Sequence, residues 1–217
     1  MSRVGILTPM ANPTVEAELR RLLPPEIDYV VARLVSDSAD PAERLVAYAR
    51  EAGAAVNQFG GMTLAALGFA CTGSSYLIHA EESAAIAAAF ALPFLFAADA
   101  AAAELERRAA RRIALVSPYP PPLHAAACAW WEGRGFALAH EARVEIGSAD
   151  TRAIYRLSGA AAEPAVTAAL AAGPDAVLLS GTGMPSLDLL RPDDSIPVLS
   201  SNFCLAATLI RAAGAAR

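Results

Sequence analysis

The stretch Ile113-Ala114-Leu115-Val116-Ser117-Pro118 repeats, in the second half of the chain, the pattern of Val4-Gly5-Ile6-Leu7-Thr8-Pro9. Each is a short apolar run that ends at a proline, as is typical of a buried strand in a parallel sheet. Two further pairs follow in the same order: Phe69 to Gly73 matches Leu179 to Gly183, and Leu92 to Ala97 matches Ile196 to Ser201. All three pairs lie about 104 to 110 residues apart, which predicts an internal duplication.

Short apolar segments alternate with helical segments throughout both halves, and this alternation predicts an α/β fold. We expect two similar half-domains, each a parallel sheet flanked by helices, related by a pseudo-twofold axis. The first would comprise residues 1–98 and 196–217, with the C-terminal helix crossing back, and the second residues 99–195. Because ligands of open parallel sheets bind beyond the carboxyl ends of the strands, the active site is predicted in the cleft between the halves.

Composition and charge exclude several classes of function. The 217-residue chain has a net charge of −5 and no basic cluster beyond residues 107–108 and 111–112, so nucleic acid is not an expected partner. No apolar run reaches the roughly 18 residues needed to cross a membrane, and the apolar N-terminal stretch is too short for a signal peptide. We therefore predict a cytoplasmic protein with a small-molecule ligand.

The cysteines and histidines show no ligand spacing. The three cysteines form no Cys-x-x-Cys pair and the three histidines form no metal-binding motif, so neither a disulfide framework nor a metal site is predicted. Cys128 and Cys204 are expected to be packing residues. Cys71 differs, because it ends the apolar run of residues 64–70 and is followed by Thr72-Gly73-Ser74-Ser75.

A thiol on such a turn can serve as nucleophile or proton donor beside exposed backbone N–H groups. An isolated cysteine at a strand end is more often buried for packing. The repeat favours a functional role, because it places Gly181-Thr182-Gly183 on the wall of the cleft opposite Cys71. Other segments that follow strands, and so are expected at the same cleft, are Pro9 to Asn12, Pro118-Tyr119 and Ser200 to Asn202.

In this order, these motifs resemble the aspartate/glutamate racemase superfamily, and within it the branch of maleate cis-trans isomerases and arylmalonate decarboxylases. The resemblance covers nearly the whole chain. It implies an enzyme that needs no cofactor and binds a small carboxylate in the cleft. In racemases and isomerases of the superfamily, two cysteines, one from each half, flank the substrate.

The resemblance also implies roles for individual residues. Cys71 matches the first catalytic cysteine, Asn12 and Tyr119 match residues that hold a substrate carboxylate, and Thr72 and Tyr119 match the oxyanion pocket of the decarboxylases. The backbone of residues 181–183 would supply further N–H donors. The predicted catalytic residues are Cys71 and Tyr119, and the predicted substrate-binding residues are Pro9, Met10, Asn12, Thr72, Gly73, Gly181, Thr182, Gly183 and Asn202.

The chain departs from the family at Gly181, where racemases, isomerases and the known decarboxylases carry the second cysteine. The decarboxylases have glycine in the first position instead, so this chain is their mirror image in cysteine placement. Racemisation needs acid/base groups on both faces of the substrate and is disfavoured. We predict a decarboxylase of a malonate-like, arylmalonate-type acid in which Cys71 protonates an enediolate. The alternatives are a maleate-type isomerase with Cys71 as nucleophile and an inactive small-acid binding protein. The substrate's side chain and a homodimeric state are left open.

Overall fold

The computed structural model describes residues 2–215 and contains two four-stranded parallel sheets. The strands follow the same order in both, β2-β1-β3-β4 and β6-β5-β7-β8. They are β1 (Ser2–Pro9), β2 (Ile27–Leu34), β3 (Ala66–Phe69), β4 (Phe94–Phe96), β5 (Arg112–Ser117), β6 (Ala137–Arg143), β7 (Ala176–Leu179) and β8 (Val198–Ser200). The predicted duplication and fold class are confirmed.

Helices connect the strands, as the right-handed crossovers of parallel sheets require. They are α1 (Thr14–Leu22), α2 (Pro41–Arg50), α3 (Ala52–Asn57), α4 (Thr72–Ser75), α5 (Ala80–Ala88), α6 (Ala97–Arg107), α7 (Pro121–Gly133), α8 (Glu163–Ala171) and α9 (Ser201–Ala215). Helix α2 begins where its sequence indicates: the Asp40 carboxylate accepts hydrogen bonds from the N–H groups of Ala42 and Glu43, and Pro41 occupies the first helical position. Among the described residues, no helix combines the length and apolar character needed to span a bilayer.

The last helix returns to the first sheet. Leu205 and Leu209 of α9 pack in one buried cluster with Val4 and Ile6 of β1. Gly68 of β3 allows this close approach, because a Cβ there would lie 3.2 Å from Leu209 Cδ1. The C-terminal helix α9 therefore packs on the first sheet.

One boundary needs correction. We expected the whole of residues 196–217 in the first half-domain, but β8 belongs to the second sheet, where it pairs with β7. The reason is the duplication itself, since β8 occupies the place in its sheet that β4 has in the first. Only the helix that follows β8 packs on the other half.

A long connection between β6 and α8 contains two short 3-10 turns, Thr151–Arg156 and Gly159–Ala162. The connection is fixed to the first half by an ion pair between Arg44 of α2 and Asp150, with 2.6 Å between Nη2 and Oδ1. The Arg44 side chain is only 3% exposed. Because of this contact, the first 3-10 turn is held over the carboxyl ends of the strands.

Candidate active site

A small pocket lies where the carboxyl ends of the two sheets face each other. Its free volume is about 30 Å³. Nine of the residues predicted from the sequence line it, namely Pro9, Asn12, Cys71, Thr72, Gly73, Tyr119, Gly181, Thr182 and Gly183. The remaining lining residues are Leu45, Thr151, Ile154 and Tyr155.

Cys71 follows β3 and stands at the start of the single-turn helix α4. The residue is 5% exposed. Its sulfur accepts a hydrogen bond from Ser74 Oγ at 3.1 Å, and the backbone N–H groups of Gly73 and Ser74 also donate to it. Burial raises the pKa of the Cys71 thiol, and these hydrogen bonds oppose only part of that rise. Cys71 is thus a protonated thiol at neutral pH. The same hydrogen-bond donors would stabilise the thiolate that forms when the proton leaves.

Tyr119 and Thr72 form the polar wall beside the thiol. Burial raises the pKa of Tyr119 well above its usual value, and the neighbouring Tyr76 and Cys71 add to the rise, so the phenol remains a hydrogen-bond donor. Thr72 Oγ1 is buried and has no hydrogen-bond partner of ordinary geometry among residues 2–215. A buried hydroxyl without a partner is costly, and a ligand oxygen in the pocket would satisfy it.

A buried network supports this wall from behind. The Tyr76 hydroxyl lies 2.8 Å from Ser180 Oγ and accepts a hydrogen bond from Trp131 Nε1 at 3.1 Å. The rings of Tyr76 and Tyr119 meet edge to face with centroids 6.0 Å apart. Tyr76 is thus a core residue that fixes both Tyr119 and the strand end that leads to Gly181.

The opposite wall is built around Gly181. Its φ of 139° lies in a region that side chains rarely adopt, and a Cβ would lie 3.0 Å from Pro118 Cδ. The Gly181 N–H donates to Ser201 Oγ at 3.1 Å, so it is not available to a substrate. The N–H groups of Thr182 and Gly183 have no acceptor within the described part of the chain. Of the three expected backbone donors, two are therefore left for a ligand.

Asn12 has two roles. Its Oδ1 accepts hydrogen bonds from the N–H groups of Thr14, at 2.9 Å, and Val15, at 3.4 Å, and so caps α1. The side-chain NH₂ has no acceptor in residues 2–215, although Asn12 is buried and lines the pocket. The cap on α1 thus orients the side chain and leaves its NH₂ group free to donate to a ligand in the pocket.

Two predicted residues lie outside the pocket lining. The Met10 residue is 60% exposed, because its N–H pairs with the Leu34 carbonyl oxygen at the sheet edge and its side chain faces solvent. Asn202 is buried, but its amide donates to Glu18 Oε2 at 2.7 Å and to the Thr182 carbonyl oxygen at 3.0 Å. Asn202 therefore holds the second wall and does not reach the pocket itself.

Glu18 is a functional candidate that the sequence did not indicate. This carboxylate, from a residue 3% exposed, accepts hydrogen bonds from the N–H and hydroxyl of Ser186, the N–H of Leu187 and the amide of Asn202. It thereby ties α1 to the segment that follows Gly183. The only sequence signal was its position four residues after Thr14, on the same face of α1.

Ile154 and Tyr155, from the first 3-10 turn, cover the pocket. Tyr155 packs so closely on Gly183 that a Cβ at this glycine would lie 2.6 Å from the ring. No sequence pattern indicates this cover, because the segment has neither a helical nor a strand period.

An apolar cavity of about 240 Å³ adjoins the pocket and shares Leu45 and Thr151 with it. Its remaining walls include Leu77, Pro120 and Leu123. Polar donors thus surround the thiol, while apolar space lies on the side of Leu45.

Comparison by sequence finds no matching family model and no matching curated protein. The fold and site define a duplicated α/β protein whose pocket is centred on one thiol. Its fold is that of arylmalonate decarboxylase and the maleate cis-trans isomerases, and the resemblance to this branch inferred from the sequence is confirmed.

Three solved structures illustrate the similarity. One is a liganded arylmalonate decarboxylase variant with one glycine changed to cysteine and one cysteine changed to serine (TM-score 0.81, 22% identity, 99% of this chain and 93% of that chain). Another is a maleate cis-trans isomerase from Nocardia farcinica with a covalent succinylcysteine intermediate (0.80, 26%, 97% and 92%). The third is a maleate isomerase from Pseudomonas putida S16 with maleate (0.80, 19%, 96% and 90%). These neighbours are decarboxylase and isomerase enzymes, which supports the prediction of a lyase or isomerase.

Proposed function

We propose that this protein is a cofactor-independent decarboxylase of a small malonate-like acid, with Cys71 as the proton donor. The observation that carries the proposal is the pairing of one buried, protonated thiol with Gly181 on the opposite wall. Decarboxylation followed by protonation needs one proton donor on one face, whereas racemisation needs an acid/base group on each face.

The pocket residues divide the reaction between them. The carboxylate that remains would be held by the Asn12 amide, the Tyr119 phenol and the Thr72 hydroxyl. The carbon–carbon bond to the other carboxylate breaks, CO₂ leaves, and the electron pair moves into the retained carboxyl group as an enediolate, which these donors stabilise. The Cys71 thiol then protonates the carbon, and the thiolate recovers a proton from water. The net reaction consumes one proton.

Two features favour a substituted malonate. The first feature is the apolar cavity beside Leu45, which has about 240 Å³ of space for a bulky substituent. The pocket next to the thiol, at about 30 Å³, is too small for such a group. The second feature is a structural neighbour, a liganded arylmalonate decarboxylase variant in which one glycine is replaced by cysteine and one cysteine by serine.

A maleate-type isomerase is the second candidate, and the size of the pocket favours it. About 30 Å³ next to the thiol suits a compact diacid better than an aryl acid. The Nocardia farcinica neighbour holds a succinylcysteine intermediate, and the equivalent step here would be addition of the Cys71 thiolate to the double bond, rotation and elimination. This route requires the ionised thiol, which burial at Cys71 opposes. A binding protein without activity is the third candidate.

One assay separates these functions. The protein is incubated with phenylmalonate-type acids and with maleate, and CO₂ release and fumarate formation are followed. We expect CO₂ release that Cys71→Ala abolishes, while Cys204→Ala, which removes another buried thiol outside the pocket, retains activity. Fumarate formation without CO₂ release would replace the decarboxylase with the isomerase. Binding of either acid without turnover would identify a binding protein.

The product reports which face is protonated. With a prochiral disubstituted malonate in deuterated buffer, we expect a product of one hand that carries one deuterium at the α-carbon. A racemic product would contradict Cys71 as the sole proton donor.

A further inference from the structure

Three potential metal ligands meet on the second half of the molecule, outside the pocket lining. His124 and Cys128 lie one helical turn apart on α7, and Glu141 reaches them from β6. His124 Nε2 lies 3.6 Å from Cys128 Sγ and 3.4 Å from Glu141 Oε2, and Cys128 Sγ lies 2.8 Å from the same carboxylate oxygen. The sequence did not reveal this group, because Glu141 follows the His-x-x-x-Cys pair by 13 residues and comes from a different element.

Two of the three distances between these ligand atoms match one face of a metal tetrahedron. An ion bound at about 2.0 to 2.3 Å by nitrogen, sulfur and oxygen places these atoms roughly 3.3 to 3.6 Å apart. The two distances from His124 agree with these values. The third is shorter because the thiol donates a hydrogen bond to Glu141, and loss of that proton allows the exposed carboxylate to move outward.

The imidazole is already oriented for ligation. His124 Nδ1 lies 2.7 Å from the buried Ser117 Oγ. In the tautomer that carries its proton on Nδ1, the ring donates to this hydroxyl, and the Nε2 lone pair is directed at the other two ligands. Metal-binding histidines commonly donate their second ring nitrogen to a protein oxygen in this way. His124 is buried whereas Glu141 is 60% exposed at its side chain, so the group is rigid on one side and open to solvent on the other.

We propose that His124, Cys128 and Glu141 bind one divalent cation of borderline softness, Zn²⁺ in the first place, with water as the fourth ligand. Binding displaces the Cys128 thiol proton to solvent, and the resulting thiolate and carboxylate neutralise the two positive charges of the ion. The nitrogen, sulfur and oxygen donor set favours Zn²⁺ over Mg²⁺ or Ca²⁺, which prefer oxygen ligands alone. The site is independent of the proposed reaction, since none of its ligands lines the Cys71 pocket.

The test uses purified, tag-free protein. Zn²⁺ affinity is measured by competition with a chromophoric chelator, and Co²⁺ is added as a spectroscopic probe of thiolate ligation. We expect one equivalent of metal and a thiolate-to-cobalt charge-transfer band. Cys128→Ser should abolish the band, and Glu141→Gln should weaken Zn²⁺ binding. Ser117→Ala should lower the Zn²⁺ affinity by about 10- to 100-fold, because it removes the contact that orients the His124 imidazole and leaves all three ligands in place.

Cys71→Ser is the matched control, because it removes the active-site thiol and should leave the band unchanged. A protein that binds no stoichiometric metal, or a band that survives in Cys128→Ser, would overturn the proposal. A band lost in Cys71→Ser but retained in Cys128→Ser would place the metal at the active-site thiol and also overturn it. Because the readouts are metal binding and absorption, failure here leaves the decarboxylase proposal intact.

Discussion

At the scale of single residues, the protonation state of Cys71 separates the two proposed chemistries. Burial raises the thiol pKa above its ordinary value of 9.0, so the neutral form predominates through neutral pH. For a decarboxylase that needs the thiol as an acid, we expect kcat to stay level from neutral pH up to the raised pKa of the thiol and to fall above it. A nucleophilic thiolate gives the opposite sign, with activity rising as the thiol ionises. The kcat–pH profile on both substrates, with enzyme stability checked at each pH, distinguishes them.

Gly181 sets a second limit at this scale. Its φ of 139°, together with Pro118 Cδ only 3.0 Å from the point that a Cβ would occupy, leaves no strain-free place for a side chain. We expect both Gly181→Ala and Gly181→Cys to destabilise the fold by about 1 to 3 kcal/mol, and the cysteine not to create a racemase. Urea unfolding measures the change. Gly53→Ala is the control, because that helical glycine has open space around it and alanine there should be neutral or slightly stabilising.

The sequence predicts the place of a site residue when local signals fix it, and not when a contact with a residue far along the chain does. Cys71, Thr72 and Tyr119 could be placed in the pocket because each lies two or three residues beyond the end of a buried strand. Asn202 follows a strand too, yet its amide is bound by Glu18, 184 residues away. Nothing in the local pattern reveals a partner so far along the chain.

At the scale of elements, the first 3-10 turn acts as a cover whose position depends on one ion pair. Arg44 is buried and contacts Asp150, and a hydrogen bond from Arg152 lowers the pKa of Asp150 to about 2. Asp150→Asn removes the charge and leaves the buried Arg44 without its counter-ion. We expect KM to rise by about tenfold with a smaller change in kcat, because the cover over the pocket is loosened.

Steady-state kinetics on the accepted substrate checks this expectation. Asp37→Asn is the control. Asp37 is exposed on the connection between β2 and α2, and its substitution should leave KM and kcat unchanged. An unaltered KM in Asp150→Asn would show that the turn is held by its apolar contacts alone.

At the scale of the whole molecule, Glu18 joins the two halves. Glutamine in its place would direct an NH₂ group at donors from Ser186, Leu187 and Asn202, so at least one donor would lose its acceptor. We expect Glu18→Gln to lower the free energy of unfolding by about 1 to 3 kcal/mol and to raise KM as the second wall moves. Glu16→Gln is the matched control on the same helix, and its partly exposed pair with Arg33 should contribute no more than about 1 kcal/mol.

Denaturant unfolding and kinetics together decide this prediction. If Glu18→Gln behaves like Glu16→Gln in both measurements, the carboxylate is dispensable for holding the wall. If stability falls while KM is unchanged, Glu18 is structural and has no effect on the pocket.

The architecture was predictable because the second half of the chain repeats the strand segments of the first half in the same order. Two such sets of strands indicate two similar sheets. The boundary at residue 196 was not predictable, because β8 and α9 are adjacent in sequence but β8 belongs to the second sheet and α9 packs on the first. Which sheet a helix packs on depends on shape, as at Gly68, and not on its own apolar period.

The return of α9 also bears on how the chain folds. One face of the first sheet is covered in part by residues 201–215, so Val4 and Ile6 lack part of their apolar cover until the last helix has been synthesised. Contacts between such distant segments slow folding and join the halves into one cooperative unit. A chain that stops before α9 would therefore expose an apolar sheet face and be prone to aggregate, even though every residue lining the Cys71 pocket is already present.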